Sequence, residues 1–557
     1  MYYQHLERKV YISEGTHLFE NDDWKIYWEG LLFIKGLEPG EPSLIRFLEE
    51  IKKSTVSEKS YILSGEFSCF CFDKKNDLLY SFCDNAGLYN LYYSQTFTST
   101  LLLDLIKVNH ITVEDLDPVG IMGFIISNSC YTWNTYFKEI KRMKYNEIFV
   151  DNGKELSFQR KDIDDFFTLK RPIQSFLPEF SLMTESLKKI KGRICVDLTG
   201  GFDTRLVCTI LNKFGLDFDT SISGMPDHPD IILSKKIAEI LGKNHFYIFD
   251  EINSNNLEYE LNKTFELYDA AMDIVRFHFI YTHEQALLKN NCVLRLSGIG
   301  GEFYKPFPFW FITDNNPKTL IPYMIERGTD LRYGLQFKTI PHEIFSDPYK
   351  SYISSYKNRL IDKLVEFFKD DQSGKIIYKV LYFFMEGSKP GARRFSLNLF
   401  NPLLDKEIVP FGVNLKFEKR TPLKRLKYMI LPPLDDRYMF EKKLLTTLNY
   451  KVAKVNIANA LHVNASTKFF DQIKNNIKNL IVKTKTYRSN QKRPAGPAAN
   501  QEIFNVVRTL NKTEDLIEIL KNHAILKNTV RIENIPNDYI GSLFTLGKII
   551  EYCETNT

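Results

Sequence analysis

The sequence predicts a multidomain chain of mixed α/β and α+β class. A sandwich of β-sheets with helices comes first, and a doubly wound parallel sheet with helical additions follows. Three observations predict this. Short apolar or alternating runs bounded by turn residues fill the stretch from about Trp28 to Val150. After about Phe180, strand-like runs alternate with helical periodicity, the pattern of βαβ units. At 557 residues, the chain is longer than one ordinary core organises.

In the first part the strand candidates are Leu31-Leu32-Phe33-Ile34, Phe67 to Phe72, Leu91-Tyr92-Tyr93 and Glu147-Ile148-Phe149-Val150. In the second, the strand Ile194 to Leu198 runs into a helix marked by Leu206, Val207, Ile210 and Leu211. A helix ending at Leu241-Gly242 precedes the strand Phe246 to Phe249, and Val293 to Leu296 enters another glycine-rich turn. Helical signals dominate Pro317 to Phe384. Tyr487 to Gln501, with Pro494 and Gly496-Pro497 among polar residues, reads as a linker before a helical tail. The expected division is therefore 1–165, 175–485 and 486–557.

Composition excludes several function classes. Hydrophobic residues are 44%, charged residues 26% and aromatic residues 14%, the balance of a chain that folds. A net charge of +5 is small for this length and does not imply nucleic-acid binding; the basic tract Lys483 to Arg493 reads as a solvated linker. The longest apolar run, Val119 to Ile126, is far short of the roughly 20 residues that cross a bilayer, and the opening residues lack a signal-peptide core. A cytoplasmic protein with no membrane partner is expected. The eight cysteines are scattered, and the close pair Cys69 and Cys71 lies in a strand-like run without the partners of a zinc site.

Chemistry is concentrated in Val196 to Leu206, VDLTGGFDTRL: a buried strand, a two-glycine turn and an amphipathic helix. Gly200 and Gly201 let the backbone approach an anion with no Cβ in the way, and the new helix offers unpaired N–H groups and a positive dipole end. Thr199 and Thr204 can donate hydroxyls to the same anion. Asp203 would repel a bare phosphate and makes sense beside one if Mg²⁺ stands between them. A tight strand-to-helix connection that needs only glycine is the plainer alternative. The kinase-type G-x-x-x-x-G-K-[ST] occurs nowhere.

This stretch resembles the pyrophosphate loop, S-G-G-x-D-S, of the ATP-pyrophosphatase superfamily, with threonines for the two serines. Further segments resemble the asparagine synthetase family in order. They are Thr220 to Gly224 followed by Asp230, Leu296-Ser297-Gly298-Ile299-Gly300-Gly301-Glu302-Phe303 for the S-G-x-G turn, and Asn401 to Val409 for P-[FL]-L-D-x-E-[LIV]. Pro422 to Leu431 matches the basic helix that follows. In the first part, Gly65-Glu66-Phe67-Ser68, Asp84 to Tyr93 and Thr135 to Ile140 resemble class II amidotransferases.

The resemblance implies an Ntn-like amidotransferase domain joined to an ATP-pyrophosphatase domain, as in lasso-peptide cyclases and β-lactam synthetases. It implies ATP and Mg²⁺ as cofactors. Thr199, Gly200, Gly201, Asp203 and Thr204 would hold pyrophosphate, with Asp203 on the metal; Ser223, Gly224, Ser297 and Gly298 would contact the nucleotide. Lys424, Lys427 and Glu302 are the catalytic candidates, with Lys442 and Lys443 as further lysines in the same region. The family's nucleophilic cysteine after the initiator methionine is replaced by Tyr2, so glutamine hydrolysis is not expected. Ile299 stands where the family usually has an acid, which Glu302 could replace. Asn398 stands at a second acidic position, with Glu386, Arg393 and Arg394 nearby.

The expected reaction is amide formation: a small-molecule or peptide carboxylate is adenylated, pyrophosphate leaves, and an amine displaces AMP. Two alternatives stand beside it. One is a degenerate synthetase serving as a nucleotide- or partner-binding module; the other is an ammonia-dependent asparagine synthetase. The family association also implies a homodimer or partner biosynthetic proteins.

Overall fold

The computed structural model describes residues 1–556 except 128–132, 162–163, 250–251, 253–254, 306–315, 328–341, 381, 383–396, 416–438, 458–459, 465, 469–470, 472–473 and 475–501. Its first part holds eleven strands: β1 (Tyr2–Gln4), β2 (Lys9–Tyr11), β3 (His17–Glu20), β4 (Trp24–Phe33), β5 (Ser64–Asp73), β6 (Leu78–Cys83), β7 (Tyr92–Tyr93), β8 (Phe97–Ser99), β9 (Lys141–Arg142), β10 (Glu147–Asp151) and β11 (Leu156–Arg160). They form two antiparallel sheets, ordered β2-β1-β8-β7-β9 and β11-β10-β6-β5-β4-β3.

Alternation along β5 sets the layers. Phe67, Cys69 and Cys71 point into a cluster with Leu44, Phe47 and Leu48 of the Glu41–Ile51 helix. Phe70 points the other way, into a cluster with Tyr3 of β1, Leu91 and Phe149. The Leu102–Val108 helix lies against β7 and β8 of the other sheet. Helix, sheet, sheet and helix are thus stacked. β5 is buried at eight of its ten residues because both its faces are covered.

The second part is built on a parallel sheet of β12 (Arg193–Asp197), β13 (Asp219–Gly224), β14 (His245–Phe249), β15 (Cys292–Leu296) and β16 (Asn398–Phe400), ordered β14-β13-β12-β15-β16. The Asp203–Lys213 helix follows β12. The Pro229–Leu241 helix follows β13 and ends at Gly242, whose φ of 67° supplies the left-handed stop that the sequence expects. The Phe279–Lys289 helix precedes β15 and packs on β14 and β15. Strand order reverses at β12, between β13 and β15. In open parallel sheets, such a reversal leaves a crevice beyond the strands' C-terminal ends.

The two parts share one buried core. Leu31, Phe33 and Phe124 belong to the same apolar cluster as Val196, Leu296, Leu404 and Ile549. Phe33 of β4 meets Phe400 of β16 edge to face at 5.5 Å. Lys35, just after β4, is buried against Asp405 at 2.6 Å and Glu407 at 2.8 Å. The helical tail is docked on the first part: the Asn537–Asn556 helix packs on the Leu102–Val108 and Pro118–Ser127 helices. The apolar run Val119 to Ile126 is therefore an interior helix. No helix among the described residues is long and apolar enough to cross a membrane. The tract Lys483–Arg493 and the linker Tyr487–Gln501 lie outside the described residues.

Candidate functional site

The Thr199–Thr204 loop follows the C-terminal end of β12, beside the strand-order reversal. Phe202 occupies the position before the Asp203–Lys213 helix and supplies no side-chain cap, so no capping side chain takes up the first-turn N–H groups there. The loop is closed on itself. Gly200 N–H donates to Asp230 Oδ1 at 2.7 Å, Gly201 N–H to Thr199 Oγ1 at 3.1 Å and Thr199 N–H to Thr204 Oγ1 at 3.0 Å; the two hydroxyls stand 3.1 Å apart. The sequence assigns all these groups to an anion. In the fold they pair with one another, because buried donors take the acceptors within reach. Burial raises the Asp230 carboxyl above its ordinary range, and the Gly200 N–H opposes that shift.

From beneath, Arg205 fixes the loop. Its fully buried guanidinium donates to Gly200 O at 2.8 Å, Val455 O at 2.9 Å and Asn456 O at 2.8 Å. The last of these lies in the hairpin of β17 (Asn456–Ile457) and β18 (Ala460–Asn464). Burial pushes the Arg205 guanidinium down to about 10, so it stays charged at neutral pH.

The Ser297–Gly301 turn leaves β15 beside this loop. Ser297 N–H donates to Phe400 O at 3.1 Å, and its hydroxyl accepts from Ile299 N–H at 3.3 Å. The two turns interlock through glycine. A Cβ on Gly298 would lie 2.6 Å from Thr204 N, and one on Gly301 would lie 2.1 Å from Asp203 Cγ. Ser223 and Gly224 end the neighbouring β13, where Gly224 O accepts from the Tyr247 hydroxyl at 2.9 Å. All nine residues expected to touch nucleotide therefore stand at the C-terminal edge of adjacent parallel strands.

A buried charge cluster adjoins the turns. Lys305 Nζ donates to Asp203 Oδ2 at 2.7 Å, while Asp203 Oδ1 is buried and accepts no hydrogen bond from the protein. Glu441, 1% exposed on the Met439–Leu448 helix, has both carboxylate oxygens buried and without a protein donor. That helix packs on the Asp203–Lys213 helix, and its Phe440 stacks on Tyr304 at 5.5 Å. Burial raises Asp203; Lys305 opposes the shift and Glu302 adds to it. Burial raises Glu441 well above a carboxylate's range, with Asp203 adding and Lys305 opposing. Although burial opposes its charge, Lys305 is raised by Asp203, Glu302 and Glu441.

Lys424 and Lys427 lie outside the described residues, as do Glu386, Arg393 and Arg394. Lys442 is buried with its ammonium 5.7 Å from the Phe202 ring, whereas Lys443 is exposed. Asn398 belongs to β16 and pairs with Leu294. The sequence reading overlooked Lys305, Glu441 and Arg205. Lys305 carried a signal, a base four residues past a glycine turn. Glu441 carried only an acid on a helix's inner face.

In the first part, the Tyr2 ring stacks on Tyr11 at 4.7 Å. Cys69 is buried on β5, and burial raises its thiol well above the ordinary range, so it is no nucleophile. The seven described cysteines are all buried free thiols. Asp84 accepts from the N–H groups of Ala86, Leu88 and Tyr89 at 2.9, 3.2 and 2.7 Å, which shapes the turn.

Among the described residues, no group of three or more His, Cys, Asp or Glu could hold a metal. Magnesium asks for less, since one or two carboxylates commonly suffice beside phosphate oxygens and water. The unpartnered Oδ1 of Asp203 fits that role. The sequence matches no protein-family model and no curated protein.

Proposed function

We propose that this chain is an AMP- and pyrophosphate-forming carbon–nitrogen ligase of the asparagine synthetase type, with a glutaminase-like first domain that lacks its nucleophile. The observation that carries this reading is the interlocking of the Thr199–Thr204 loop with the Ser297–Gly301 turn at a strand-order reversal, with Gly298 against Thr204 N. Two glycine turns that must touch main chain to main chain make a narrow, donor-rich floor, which suits a polyphosphate. The helix–sheet–sheet–helix layering of the first part supports an Ntn-like domain. Lys35 and Glu66 support a scaffold role for it. Lys35 pairs with Asp405, and the Glu66 carboxylate accepts from Asn401 N–H at 2.8 Å, so the first part grips the Asn401–Val409 segment.

Cleavage between the α and β phosphates builds negative charge on the leaving pyrophosphate. The first-turn N–H groups and the Lys305 ammonium answer that growing charge, so they favour the transition state over the ground state. Thr199 and Thr204 must exchange their mutual contact for the anion. Ser223, Gly224, Ser297 and Gly298 line the nucleoside side. A Mg²⁺ on Asp203 would supply charge neutralisation between that carboxylate and the phosphates. The carboxylate and the amine are a small molecule or a peptide.

A binding module without turnover is the second reading. The closed loop favours it, since Asp230 and Thr199 already occupy the Gly200 and Gly201 N–H groups. ATP/pyrophosphate exchange with pooled acids and peptides in Mg²⁺ separates the two. Exchange by the wild type that Asp203→Ala abolishes supports the ligase; nucleotide binding without exchange supports the module.

A further inference from the structure

The closed loop raises the question of what balances the charges behind it. Asp203, Glu302 and Glu441 bear electrostatically on Lys305, and Lys442 bears on Glu441. Of the Asp203 oxygens, Oδ2 accepts from Lys305. Asp203 Oδ1, Glu441 Oε1 and Glu441 Oε2 remain as three buried carboxylate oxygens to which no protein group donates. Buried acceptors of this kind are costly and uncommon in native folds.

Both side chains are held in place. The main chain at Gly301 abuts the Asp203 carboxylate, and the Phe440–Tyr304 stack fixes the turn of helix that carries Glu441. Oxygen ligands without donors, on rigid elements, are the ligand type that hard divalent cations prefer.

We propose, resting on the nucleotide-ligase reading above, that Glu441 is a second protein ligand, beside Asp203, for the divalent cation that accompanies the nucleotide. The cation then ties the Met439–Leu448 helix, already packed on the Asp203–Lys213 helix, to the Thr199–Thr204 loop. Lys305 stays on Oδ2 and faces the phosphates.

The test uses the full chain, Mn²⁺ as the metal and α,β-methylene-ATP as the nucleotide, with free Mn²⁺ followed by its electron paramagnetic resonance signal. Mn²⁺ affinity in the presence of the analogue is expected to fall at least tenfold in Glu441→Gln, to recover in part in Glu441→Asp, and to fall likewise in Asp203→Asn. Glu441→Gln removes a buried carboxyl without a protein donor and keeps the side chain's shape, so its thermal midpoint without metal is expected to equal or exceed that of the wild type. Equal Mn²⁺ affinity in wild type and Glu441→Gln overturns the assignment of Glu441 and leaves the nucleotide reading standing. A lowered midpoint with analogue binding lost in metal-free buffer assigns Glu441 a structural role and overturns it too. A wild-type chain that binds no analogue overturns the nucleotide reading itself.

Discussion

Gly298→Ala places one methyl group at the seam on which the site depends. The added carbon would lie 2.6 Å from Thr204 N, 2.8 Å from Thr204 Cγ2 and 2.9 Å from the Asp203 carbonyl carbon. Carbon atoms rest at about 3.5–4.0 Å from their neighbours, so the overlap is roughly an ångström and two of the three atoms are main chain. The φ of Gly298 lies outside the left-handed region, so the effect is steric. Overpacking of this kind costs about 1–3 kcal/mol, and about 2 kcal/mol corresponds to a roughly 30-fold change in an equilibrium constant. The expected result is a loss of about 2 kcal/mol in urea unfolding and at least tenfold weaker binding of an ATP analogue by calorimetry. The series has an internal control, because a Cβ on Gly201 meets only Thr199 Oγ1, at 3.2 Å. Gly201→Ala should therefore lose less than about 1 kcal/mol. A Gly298→Ala protein that matches the wild type in both stability and binding refutes the interlocked-turn account.

Arg205→Met leaves the Gly200, Val455 and Asn456 carbonyls without their buried donor, and urea unfolding should show a loss of about 3–5 kcal/mol; a loss below about 1 kcal/mol would contradict the anchoring role. His245 sets an acid limit. Burial pushes its imidazole down to about 4, with Thr220 Oγ1 at 2.9 Å and Ser234 Oγ at 3.0 Å. The unfolded imidazole protonates near pH 6.5, so the unfolded state binds the extra proton first; stability is full above about 6.5 and is lost as pH falls toward 4. Discounted for partial exposure, the loss is about 2 kcal/mol. The stability difference between pH 7.5 and 4.5 should shrink by about that amount in His245→Gln, and an unchanged difference would remove His245 as the cause.

The Thr199–Thr204 loop was legible because its parts are consecutive. Two glycines between a buried apolar strand and an amphipathic helix leave few conformations, and the same holds for the turn after β15 and the glycine stop at Gly242. Short apolar or alternating runs likewise marked parts of β4, β5 and β10; β4 starts at Trp24, well before the expected run at Leu31, while β5 and β10 extend their runs by one to three residues at an end. The partners of the loop were not legible. Asp230, Lys305 and Glu441 stand from 30 to more than 200 residues from Gly200 and Asp203, the groups they influence, and no local period links them.

The tail shows the same limit. Its helices follow from periodicity, whereas its place on the Pro118–Ser127 helix follows from which apolar faces remained uncovered. Sequence alone marked some of the strands and helices, the βαβ alternation after Phe180 and the two glycine turns, because backbone freedom and apolar periodicity are local properties. Only tertiary structure decided which carboxylates share Lys305, which acceptors close the loop, and that the first part grips the second through Lys35 and Glu66. Burial and Coulomb energies depend on distances in space, and those exist only once the sheets are stacked.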